Sequence, residues 1–156
     1  MIVKWPHTVT PGSTTDYQVI IEDIFPSFLE MAGMDYSGKA IQKIDGRSFV
    51  AACEGKASNT GKRPLFWHYP HTYDQPPYSA VRQGDWKLIY HHNDQRIELF
   101  NIVNGISEKT DMSASEPKRT MDLAVILSDY LRNTNAGMPT FVKTGKRIPY
   151  PDEVVL

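Results

Sequence analysis

The rhythm of apolar and polar positions marks out three stretches of this chain. Between Asp23 and Gly33 the apolar residues Phe25, Phe28, Leu29 and Ala32 recur every three or four positions, the period of a helix with one core-facing side. Asp23 stands where an N-cap belongs, Pro26 falls in the first turn, where its missing N–H is not needed, and Gly33 suits the C-terminal cap. From Leu65 to Asn101 the period shortens to two. Leu65 to Tyr69 reads as a strand, Ser79 to Arg82 and Trp86 to His91 flank the loop Gln83-Gly84-Asp85, and Asn93-Asp94 turns the chain into Arg96 to Asn101. Trp86, Leu88 and Tyr90 share one face of their strand, and Lys87, Ile89 and His91 share the other. From Pro117 the helical period returns: Leu123, Ile126, Leu127, Tyr130 and Leu131 form one broad apolar stripe, ended by Gly137 and Pro139.

These patterns predict an α+β fold, an antiparallel sheet of about four strands with a long C-terminal helix packed on one face. A strand–helix segment precedes it, its strand running from Ile2 to Trp5 and stopped by Pro6. Residues 1–60 group apart from the sheet and helix of 61–142, and 143–156, with Pro149 and Pro151, run on as an extended tail. Ser48 to Cys53 suits a helical turn or two, and Gly55 to Arg63 is polar enough for a surface loop.

Composition narrows the function. A length of 156 residues with 40% hydrophobic and 22% charged residues suits a domain with a real core. A net charge of −1 gives no basic field for nucleic acid or an anionic membrane. No apolar run approaches the ~20 residues of a membrane helix, and Met1 to Pro6 lacks the apolar core of a signal peptide. Cys53 is the only cysteine, so no internal disulfide can form; its expected role is that of a small structural residue. His68, His71, His91 and His92 supply no tetrahedral set at a recognised spacing, so no metal site is expected. Trp67, Tyr69, Tyr73, Tyr78, Trp86 and Tyr90 crowd one stretch, a density that suits a packed sheet and also stacking on sugar rings.

Several segments, taken in order, resemble the sulfatase family of the alkaline-phosphatase-like superfamily. Asp23-Ile24-Phe25-Pro26-Ser27-Phe28-Leu29-Glu30-Met31-Ala32-Gly33 is similar to a helix of that family, and Asp45-Gly46-Arg47-Ser48-Phe49 to the turn that follows it. Leu65-Phe66-Trp67-His68-Tyr69-Pro70-His71 resembles a segment common in bacterial polysaccharide sulfatases and arylsulfatases. Ser79-Ala80-Val81-Arg82-Gln83-Gly84-Asp85-Trp86-Lys87-Leu88-Ile89 and Glu98-Leu99-Phe100-Asn101-Ile102 match the hairpin and strand after it. The loop from Val103 to Met112 departs from the family, keeping its Glu but lacking its Pro.

The resemblance implies that residues 1–60 are the C-terminal end of the sulfatase catalytic-domain core and 61–142 the C-terminal subdomain. It implies a sulfuric ester hydrolase as parent, using calcium and a formylglycine made from a Cys/Ser-x-Pro-Ser-Arg motif. Neither that motif nor the metal-binding Asp and Asn of the family is found in this sequence, so no catalytic residue is expected here. The catalytic domain of the parent is the expected partner, and an exported parent, periplasmic or extracellular, is the expected setting. What the chain would contribute is a wall of the pocket for a sulfated carbohydrate. His68, Tyr69, His71 and Tyr73 are the substrate-binding candidates, since His donors and acceptors suit hydroxyls and aromatic faces suit pyranose C–H groups. The alternative for His68 and Tyr69 is packing within the sheet. Arg82 and Lys87 suit sulfate groups along a polymer, or are ordinary surface charges. A chain of this kind could also be a stand-alone carbohydrate- or partner-binding module. Without the larger body, apolar surface around Phe25 and Phe28 is expected to favour self-association.

Overall fold

The computed structural model describes residues 1–34, 44–58 and 61–155, and the chain divides into two compact units, Met1–Thr60 and Gly61–Leu156. In the first, a 3₁₀ turn at Ile21–Asp23 leads into α1, Ile24–Met31, and a short α2 spans Val50–Cys53. The strand expected from Ile2 to Trp5 does not form. A strand needs a neighbour to take its backbone hydrogen bonds, and none among the described residues pairs with it.

Asp23 stands at the N-cap position of α1, but its side chain makes no cap hydrogen bond and serves elsewhere. Its fully buried carboxylate accepts hydrogen bonds from the N–H of Ile20 at 3.1 Å and of Arg47 at 2.8 Å. One turn on, Ser27 Oγ donates to the Asp23 carbonyl at 2.6 Å and accepts from the Phe49 N–H at 3.0 Å. These two side chains stitch the helix to the turn Asp45 to Phe49. Gly46 completes the join: a Cβ there would land on the Glu22 carbonyl, so only glycine permits the close approach. Phe25 and Phe28, expected on the core side of α1, are 58% and 61% exposed.

The second unit is a four-stranded antiparallel meander, β1 Leu65–Tyr69, β2 Tyr78–Gln83, β3 Trp86–His91 and β4 Ile97–Asn101, in the order β1-β2-β3-β4. Gln83 pairs with Trp86, and Gly84 takes the first loop position between them with φ +59°, which glycine adopts without strain. The register aligns Phe66, Val81, Leu88 and Leu99 in one row across the sheet. That row faces α3, Pro117–Asn133, whose Leu123, Ala124, Leu127 and Leu131 are buried with Val81, Leu88, Tyr90 and Leu99 in one apolar cluster. Phe66 stacks flat on Tyr130 at 3.9 Å.

After α3 the chain doubles back as a strap. Thr140 and Arg147 form an antiparallel bridge, Ile148 enters the core, and a 3₁₀ turn spans Pro151–Glu153. The strap is held by Tyr90 Oη donating to the Pro149 carbonyl at 2.9 Å and Asp152 N–H donating to Ser128 Oγ at 3.0 Å. Arg132 adds two bonds of 2.8 Å to the Asp152 carboxylate.

Candidate functional site

The alternation of a strand decides which side of the sheet each candidate residue serves. His68 lies in a row with Ser79, Tyr90 and Ile97, on the α3 side. Trp67 and Tyr69 lie on the other.

His68 is tied into the interior. Its Nε2 is 3.2 Å from the Gly137 carbonyl, which can only accept, so Nε2 carries the proton. In the neutral ring Nδ1 then accepts from the Ser79 hydroxyl at 2.8 Å. Ser79 Oγ in turn accepts from Nε2–H of His92 at 2.9 Å. The chain of bonds ends at His92, whose buried Nδ1 makes no hydrogen bond of good geometry among the described residues, although the Tyr78 backbone lies near enough to the ring to favour its protonated form slightly. Ser79 and His92 are both fully buried. Burial, with the nearby His68, pushes His92 down to about 4, and burial also lowers His68. Both rings are therefore neutral at pH 7, and both nitrogens of His68 are committed. Sequence reasoning gave no role to Ser79; its only signal is its place opposite His68 in the register.

Tyr69, His71 and Tyr73 come together differently. Tyr69 pairs with Tyr78 across β1 and β2, their rings 6.1 Å apart. The Tyr69 ring meets His71 edge-on at 6.2 Å, and His71 leans on Tyr73 at 5.8 Å. His71 is exposed and Tyr73 is 82% exposed. The sheet thus fixes Tyr69 and Tyr78, and the loop between them presents His71 and Tyr73 to solvent. Such a strip can stack on a sugar ring and exchange hydrogen bonds with its hydroxyls. It offers no nucleophile held by a base.

Elsewhere on this side, Lys87 Nζ reaches both carboxylate oxygens of Glu108, at 2.7 and 2.9 Å. His91 Nε2 bonds Glu98 at 2.6 Å. Cys53 is half-buried, and burial with neighbouring Glu54 pushes its thiol up, away from the reactive thiolate. Among the described residues no three His, Cys, Asp or Glu side chains converge in a way that could hold a metal ion. No helix among them is long and apolar enough to cross a membrane.

Residues 1–135 match the family described as N-sulphoglucosamine sulphohydrolase, C-terminal. The chain belongs to that sulfatase family. A sulfatase of Formosa agariphila is 32% identical over an alignment covering 97% of this chain and 30% of that protein. An N-acetylglucosamine-6-O-sulfatase of Bacteroides thetaiotaomicron is 30% identical, over 79% of this chain and 23% of that protein. This sulfatase C-terminal region therefore spans less than a third of the length of these relatives. Among solved structures, the carbohydrate-complexed protein Ps i-CgsB is 28% identical with a TM-score of 0.67, over 81% of this chain and 27% of its own. A structure holding its substrate D-glucosamine-2-N,6-O-disulfate shares the fold, with a TM-score of 0.70 at 23% identity over 88% of this chain and 29% of its own. The sulfatase resemblance read from the motifs and the α+β fold read from the periodicities both hold.

Proposed function

We propose that this chain serves a sulfatase acting on sulfated carbohydrates, as a wall of the substrate pocket and not as the catalyst. The observation that carries the proposal is the exposed pair His71 and Tyr73, set on the fixed tyrosines of a sheet end. Tyr69 backs that pair, and His68 serves it indirectly by fixing the end of β1 against Gly137. A relative named as an N-acetylglucosamine-6-O-sulfatase, and a neighbour solved with k-i-k-neocarrahexaose, support a carbohydrate substrate.

Sulfur chemistry in this reading belongs to the rest of the enzyme, where a formylglycine would supply the nucleophile and calcium would offset the charge of the sulfate oxygens. The described residues offer no ligand set for that metal, so no step through it is assigned to this chain. The partner that the reading requires is a catalytic domain. Ile21, Phe25, Phe28 and Met34, exposed by 72%, 58%, 61% and 58%, give α1 and its ends an apolar flank that would self-associate when left uncovered.

Titration of the chain with a sulfated glycosaminoglycan tetrasaccharide, followed by amide NMR, tests the pocket wall. Shifts centred on residues 69–78 are expected, and silence there at millimolar ligand would sink it. Turnover of an aryl sulfate by the chain alone would refute the non-catalytic assignment.

A further inference from the structure

The side of the sheet turned away from α3 carries a cleft of about 300 Å³, at the small end of ligand-sized cavities. Its sequence logic is simple. Ala80 stands opposite Trp67 in the β1–β2 register, and a side chain that stops at Cβ leaves a depression beside the indole. Ile106 and Glu108, from the loop after β4, line it too, and the cross-strand pair Arg82 and Lys87 borders it one step along the strands from Ala80.

The charges around that pair are unbalanced. Arg82 and Lys87 are direct cross-strand partners, an arrangement of like charges that destabilises a sheet unless each is countered. Glu108 counters Lys87. Arg82 has only its Nε bond to the Gly84 carbonyl, at 3.2 Å, and no carboxylate partner among the described residues. A guanidinium fixed by one edge keeps a fork of donors matched to two oxygens of one oxyanion. An indole face beside it offers the apolar contact that a pyranose C–H face takes. Tyr78 lines the cleft as well and rests against Tyr69, so the cleft is continuous with the strip Tyr69, His71 and Tyr73.

We propose that this cleft is a second sugar subsite, which takes a sulfated pyranose residue with its ring on Trp67 and its sulfate on Arg82. The ligand class rests on the pocket-wall reading above, and the site itself rests on the geometry of residues 67 to 108. The chain would then hold a sulfated saccharide at two places on one side of the sheet.

The test is an amide NMR titration of the full chain with three probes: glucosamine-2-N,6-O-disulfate, N-acetylglucosamine and sodium sulfate. The disulfated sugar is expected to shift residues 67, 80, 82 and 106–108. Each of the other two probes is expected to bind there at least tenfold more weakly. Trp67→Ala and Arg82→Gln are each expected to weaken the disulfated sugar at the cleft at least tenfold, with an unchanged urea midpoint as the control for folding. Shifts confined to residues 69–78 would overturn the cleft and leave the pocket wall standing. Shifts confined to the cleft would do the reverse. Equal binding of sodium sulfate would reduce the site to an anion trap and overturn the sugar assignment, and no shift at millimolar probe would overturn both readings.

Discussion

The two sides of one sheet teach opposite lessons from the same four strands. On the α3 side, polar groups are consumed by one another and run inward from the rim, as in the chain from Gly137 through half-buried His68 to the fully buried Ser79 and His92. On the far side, the polar groups are half-exposed and ion-paired, as Lys87 with Glu108 and Glu98 with both His91 and Arg96, or left toward solvent, as His71 and Tyr73. A shift of one residue in register would exchange the two sets, so the alternation of the strands is what separates stability from recognition. Histidine shows the contrast best: His68 and His71 are three residues apart, and only His71 is turned outward.

The largest expected effect tests whether the α3 side alone holds the unit together. Leu88 is fully buried between Val81 and Leu99 in the cross-sheet row, facing α3. Leu88→Ala is expected to cost about 3 kcal/mol, from lost burial and the cavity left behind. Its sequence neighbour Lys87, on the other side, should cost under about 1 kcal/mol when changed to Ala. Urea denaturation of both variants checks the ratio; similar losses would mean that the two sides share the load.

An effect of similar size follows from pH. His92 titrates at about 4 in the folded chain, against an ordinary 6.5, so folding favours the neutral ring. The unfolded state binds the proton first as pH falls. Stability is therefore full above pH 6.5 and declines down to about pH 4, by about 3 kcal/mol in all. His68 is lowered in the same direction and adds to the slope. Urea midpoints measured from pH 7 to 4 should show the decline, and His92→Gln should flatten most of it. A wild-type midpoint constant over that range would contradict the neutral, interior histidine chain.

How much of this was legible beforehand follows the same division. The sheet, its hairpin at Gly84 and the stripe of α3 were plain, because local periodicity and turn chemistry act at short range. The strand at Ile2 to Trp5 was misread because a strand is a pairing, and composition alone does not supply its neighbour. Asp23 looked like a cap because a cap is the local use of an aspartate; its bond to Arg47 spans 24 positions and leaves no periodic trace. His68 and His71 read alike in the sequence, since which one faces inward depends on where β1 stops. Trp67 was visible only as one of a crowd of aromatics. That Ala80 opens a cleft beside it needed the register.

The smallest expected effect probes the far side at one residue. Glu108 holds φ at +49°, a left-handed conformation that costs a non-glycine residue roughly 1–2 kcal/mol. The backbone strain sets its carboxylate against Lys87, in a pair whose side chains are 24% and 30% exposed and which contributes about 1 kcal/mol or less. Glu108→Ala loses the pair and keeps the strain. Glu108→Gly loses the pair and relieves the strain, against some gain in the freedom of the unfolded chain. Glu108→Gly should therefore be the more stable variant by about 1 kcal/mol or less, and close to the parent. If instead both variants fall by 2 kcal/mol or more, the Lys87 pair is drier than its exposure indicates, and the far side is built for stability as well as for recognition.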